Sequence, residues 1–208
     1  MLTFIIFCVS ACSLKGEGEF ALKDHLDDVV LKINDAEFTF GDLGYYIANG
    51  EAAVEAQALV YNQDNPMEYW NKHTNGIFIK VQTSQNVLDN FIRDAILAIE
   101  AKNQGLSLSD AEKENCKTAA EGMFGQLSSF QKEAAGITLE SLQRDIENAY
   151  LGQMYVTYKL ENDGSDDYTA SDWQLDGVCY KGLLSQYKIK IENKNWEKAE
   201  FGKMTIER

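Results

Sequence analysis

Ser84–Gln104, SQNVLDNFIRDAILAIEAKNQ, carries apolar side chains at Val87, Leu88, Phe91, Ile92, Ala95, Ile96 and Ile99. That i, i+3, i+4 spacing is the period of an amphipathic helix. Its polar residues are confined mainly to Asp89, Asn90, Arg93, Asp94 and Glu100, so the apolar arc is wide and needs cover from more than one side. Gly105 follows, where a left-handed residue ends a helix at little cost. The stretch predicts the central helix of an α-rich domain, with Ile77–Val81 leading into it.

The segments around it read as its cover. Val29–Ile33 favours a strand, Asn34-Asp35 a turn, and the residues to Phe40 a second extended piece. Thr39 and Asp42 approximate a capping box, predicting a helix to about Tyr61. It points Leu43, Tyr46, Ile47, Val54, Ala58 and Leu59 inward and is interrupted at Asn49-Gly50. Pro66 suits the first turn of a short helix holding Met67, Tyr69 and Trp70. Ser109 and Glu112 form a capping box for a helix with the stripe Cys116, Ala119, Met123, Leu127, Phe130 and Ala134. Gly122 and Gly125, each costing about 1 kcal/mol relative to Ala, predict a kink or break within it. Thr138 opens another helix, with Leu142, Ile146, Ala149, Tyr150 and Met154 in register, ending near Leu160. The acidic run ENDGSDDYTAS, residues 161–171, is a surface linker. A last helix is predicted over Asp172–Gln186, then strands over Tyr187–Ile191 and Phe201–Ile206. The fold class is mainly α with small β elements.

Composition narrows function by exclusion. The chain has 208 residues, 45% of them apolar and 25% charged, the make-up of a globular protein. A net charge of -14 argues against nucleic acid as a partner, since phosphates need cationic neutralisation. No nucleotide-binding, zinc-protease, serine-hydrolase or EF-hand motif is present, and the two histidines, His25 and His73, lie far apart in sequence. The expectation is no catalytic residue, no metal site and no cofactor. The run 163–167 lacks the ligand spacing of a calcium loop.

The N-terminus gives an address. Met1–Ala11 is almost wholly apolar, too short to span a bilayer, and of the length of a signal-peptide core. It ends in Val9-Ser10-Ala11-Cys12, which resembles the lipobox of bacterial lipoproteins and implies lipidation at Cys12. Residues 1–12 are then signal peptide and lipobox, 13–27 a tether, and the protein extracytoplasmic and anchored to the bacterial membrane. With Cys8 removed, Cys116 and Cys179 remain. An oxidising compartment permits a disulfide between them; two separate buried thiols are the alternative.

Taken in order, VLKINDAEFTFGDL, AILAIEAKNQGLSLSDAEKE and AAGITLESLQRDIENAYLGQMYVTYKL resemble the chaperone lobe of the SurA/PrsA-type foldases. LLSQYKIKIENKNWEKA is similar to the helix and strand that pack back on that lobe. The resemblance implies a SurA/PrsA N-terminal-like helical lobe over 28–160 with short N- and C-terminal strands. In place of a parvulin domain it has the linker 161–171, followed by a C-terminal part, 172–208, packing on the lobe. It further implies a non-catalytic chaperone that binds unfolded or exported polypeptides. Such clients need adaptable apolar surface. Tyr46, Trp70, Met123, Phe124, Phe130, Tyr150, Met154 and Tyr155 are the candidate peptide-binding residues, with core filling as their alternative role. Two other readings stay open: a structural lipoprotein with one specific partner, and a lobe serving a separate prolyl isomerase. Short strands at both ends also admit exchange with a second copy, giving a homodimer.

Overall fold

The computed structural model describes residues 20–162 and 168–207. Cys12, the signal peptide, the first part of the tether and the acidic run 163–167 lie outside the described residues. The protein is mainly helical with small β elements, as the sequence predicts.

Two short strands, β1 (Val29–Ile33) and β2 (Ala36–Thr39), form a hairpin across Asn34-Asp35. Asn34 is the left-handed residue of that turn, with φ 53°, a conformation asparagine tolerates better than most. Its amide donates to the Lys188 carbonyl, and its side-chain oxygen accepts from Lys188 N–H. Thr39 and Asp42 exchange the reciprocal bonds of a capping box. The helix itself, α1 (Gly44–Tyr61), begins two residues later and runs without interruption through Asn49-Gly50. The predicted break is absent because Gly50 serves packing there: a Cβ on it would stand 2.8 Å from the Val87 side chain. Leu43, Ile47 and Ala58 are buried as predicted, whereas Leu59 is 46% exposed.

After α1 come α2 (Met67–Trp70), with Pro66 as its N-cap, and a hairpin of β3 (His73–Thr74) and β4 (Ile77–Phe78). That hairpin turns on Asn75-Gly76, both at positive φ, the pairing that a two-residue turn favours. The central helix α3 spans Ile79–Asn103, starting inside the apolar lead-in. It ends as predicted: Gly105 has φ 74°, its N–H reaches the Lys102 carbonyl, and Leu106 N–H reaches Ala101.

The next helix, α4 (Asp110–Gln126), starts at the Ser109–Glu112 capping box. It passes straight through Gly122 and Gly125, whose missing Cβ atoms face open space. The break falls instead at Leu127-Ser128, where Ser128 and Gln131 cap α5 (Ser129–Ala134). The buried stripe of α4 runs through Cys116 and Ala120, not Ala119, which is exposed. Helix α6 (Leu139–Asn162) packs along α3 and also receives α4. Serving two neighbours moves its buried face to Leu142, Asp145, Leu151, Gly152 and Tyr155, leaving Tyr150 at the surface.

The predicted helix over Asp172–Gln186 is two pieces, a 3₁₀ turn at Ala170–Trp173 and α7 (Val178–Leu184). Gly177 separates them. Strand β5 (Ile189–Ile191) pairs antiparallel with β1, giving the order β2-β1-β5, so the C-terminal strand is partnered within the chain. The short helix α8 (Asn193–Trp196) follows.

Phe201–Ile206 is not a strand. It is an irregular tail held by the fully buried Glu51 of α1. Glu51 Oε1 accepts from Gly202 N–H at 2.6 Å and Met204 N–H at 3.3 Å. Its Oε2 accepts from Thr205 N–H and Thr205 Oγ1, both at 2.6 Å. Gly202 is required at φ 97°, and a Cβ there would stand 2.8 Å from the Trp70 ring. The anchored tail seats Phe201 and Met204 in the core beside Trp70 and Trp196.

Glu51→Gln replaces one carboxylate oxygen by an NH2 group, leaving the two donors that oxygen accepted from without a partner. The loss should be roughly 2–3 kcal/mol of folding free energy. Urea unfolding checks it as a lower midpoint at unchanged m; an unaltered midpoint would show that the tail is held by its apolar residues alone.

Candidate functional site

Helices α1 and α6 both lie on α3 without lying on each other along their length. The gap between them is a cleft of about 580 Å³, with α3 as its base and Met123 of α4 among its lining residues. Tyr45, Tyr46 and Val54 line the α1 side, and Asp145, Ile146 and Ala149 the α6 side.

Two carboxylates face this space. Asp94 of α3 accepts from Tyr46 Oη at 2.9 Å through one oxygen and from Arg93 Nη1 at 3.1 Å through the other. Burial raises its pKa, and the Tyr46 bond and Arg93 oppose that. Asp145 is 8% exposed, and its nearest cationic contact is Arg144 Nε at 3.8 Å, beyond hydrogen-bond range. Arg144 is half exposed and also pairs with Asp42, at 3.3 Å. Burial pushes the Asp145 carboxyl up to about 7; Arg144 works against this, and Asp42 and Asp94 add to it. Burial likewise raises the phenols of Tyr46, next to Asp94, and Tyr45, next to Asp145. The phenols therefore stay neutral donors. Chemically, the cleft offers apolar walls and an acidic floor poised to take a proton or a cation.

The eight predicted binding residues are dispersed. Tyr46 and Met123 share the cleft. Tyr150 and Met154 share a second, shallower groove of about 360 Å³ with Leu106 and Tyr158. Phe130 borders a cavity near Phe20 and Met204, and Phe124 lies under the Lys132 ammonium, 4.3 Å from its ring centre. Trp70 is wholly buried, its Nε1 donating to Glu55 at 2.8 Å, and Tyr155 is buried edge-on to Trp173. These two fill the core. Cys116 is buried and Cys179 half-buried, and no disulfide joins them. Among the described residues no group of three or more His, Cys, Asp or Glu side chains is placed to hold a metal ion, and no helix is long and apolar enough to cross a membrane.

The sequence alone groups Asp94 with the polar residues of the central helix and does not single out Asp145. The signal was present: Val87, Phe91, Asp94 and Ala98 form one i, i+4, i+7, i+11 row, and Asp145 stands one turn from Leu142 on the buried row. No family model matches the chain, and neither a curated protein nor a solved structure matches it.

Because Asp145 binds its proton more tightly folded than unfolded, its contribution to stability is present at low pH. It is lost as pH rises from the ordinary carboxylate range through about 7. Asp145→Asn should therefore match the wild type near pH 4 and exceed it by about 4 kcal/mol at pH 8. Denaturation across pH checks this; parallel curves for the two proteins would place an ordinary, solvated carboxyl at Asp145.

Proposed function

We propose that this protein is a non-catalytic polypeptide-binding protein of the extracytoplasmic face, held to the bacterial membrane by lipid on Cys12. The observation that carries the binding reading is the open cleft between α1 and α6, with half-buried Tyr45, Tyr46, Val54, Met123 and Ile146 along it. Apolar and aromatic walls with polar groups at intervals suit an extended chain, which offers side chains rather than a fixed shape. Methionine lets such a wall adapt to different side chains. The ordered resemblance of the hairpin, central helix and long helix sequences to the SurA/PrsA chaperone lobe supports the same reading. The apolar leader and Val9-Ser10-Ala11-Cys12 support the tether.

The test is aggregation of two unrelated, chemically unfolded proteins, followed by light scattering with the full chain at several-fold molar excess. Suppression of both is expected. Ala149→Trp, checked for folding by circular dichroism, should weaken it strongly by filling the cleft. Tyr150→Ser with Met154→Ser, in the separate groove, should leave it unchanged. Suppression of neither client would overturn general chaperone binding and favour one dedicated partner.

A further inference from the structure

Resting on the polypeptide-binding reading, we infer that the α1–α6 cleft selects a basic residue of the bound chain, a lysine or arginine whose charge seats on Asp145 and whose stem lies along Tyr45, Tyr46 and Ile146. Four observations converge. The charged side chains lining the cleft are Asp94 and Asp145, with no lysine or arginine among its described lining residues. Of the two, Asp94 is already satisfied by Tyr46 and Arg93. Asp145 is more than nine-tenths buried, and no hydrogen bond to it occurs among the described residues, its cationic contact being Arg144 at 3.8 Å, so its oxygens open on the cleft. Arg144 is divided between Asp145 and Asp42 and leaves the floor under-neutralised.

A carboxylate in that condition is destabilising when alone and favourable when a cation completes it. Apolar walls fit the methylene stem of a long basic side chain, and the neutral amides of Asn49, Asn86 and Asn90 nearby add no competing charge. The chain's net charge of -14 favours approach of a basic segment over an acidic one. Electrostatic complementarity of this kind sets specificity more than raw affinity.

The probes are three fluorescent peptides of one apolar sequence with lysine, norleucine or glutamate at the central position. They are titrated at pH 8 into the full chain, Asp145→Asn and Ala149→Trp. Norleucine keeps the stem and removes the charge. The lysine peptide should bind about tenfold more tightly than norleucine, the range of one charged hydrogen bond, and glutamate more weakly than either. In Asp145→Asn the lysine preference should vanish while norleucine binding persists, and in Ala149→Trp both should weaken. Equal binding of lysine and norleucine would overturn the basic preference and leave the polypeptide-binding reading intact. A preference that persists in Asp145→Asn, or undiminished binding to Ala149→Trp, would overturn the assignment to this cleft. Binding of none of the peptides would overturn both.

Discussion

A single buried carboxylate ties the C-terminal tail to the middle of α1. Glu51 sits at the middle of α1 without solvent contact, and every donor it meets comes from the tail. Burial raises its pKa, and four hydrogen bonds pull the other way, the arrangement by which a buried acid is tolerated. The tail in turn has no strand partner, so its backbone donors depend on Glu51. Each side of this contact needs the other. It closes Phe201 and Met204 over Trp70 and Trp196 and fixes the face of α1 opposite the cleft.

With α1 pinned on that face, its other side is free to stand away from α6. Close approach of α1 to α3 is set by Gly50 against Val87, and of α6 to α3 by Gly152, where a Cβ would stand 3.0 Å from the Leu97 side chain. Both helices thus press on α3 at points without side chains. The α3–α6 contact dominates the helix packing, and the cleft is what remains between its two riders.

What the sequence made legible follows from local rules. Ser109–Glu112, Gly105 and Asn34 each act within a turn of their own position, and each was readable as cap or turn. The features that escaped reading depend on partners far along the chain. Gly50 and Gly122 look alike in sequence, both glycines inside helices, yet one is required by Val87 and the other faces open space. Phe201–Ile206, expected as a strand, is claimed by an acceptor some 150 residues away. The Asn75-Gly76 hairpin is a different case: its turn signal is local, yet the sequence reading draws no hairpin there. In the cleft, aromaticity selected Tyr46 alongside Trp70 and Tyr155, because size alone does not separate a core residue from a wall. The carboxylates were harder to see, since 33 acidic residues make any pair unremarkable until helix packing brings Asp94 and Asp145 to one space.

Asp145 and Glu51 are both buried acids, and the contrast between them carries the functional argument. Glu51 has its four donors, and its place is explained by the fold alone. Asp145 has a distant guanidinium and a proton affinity shifted to neutrality. An uncompensated acid lowers stability, and replacing such groups by apolar ones is often neutral or stabilising. The fold therefore gives no reason for a carboxylate at Asp145. The proposed binding does: in the cleft that Asp145 faces, a deficit in donors would become affinity for an entering cation, and stability withheld from the empty protein would become selectivity in the occupied one.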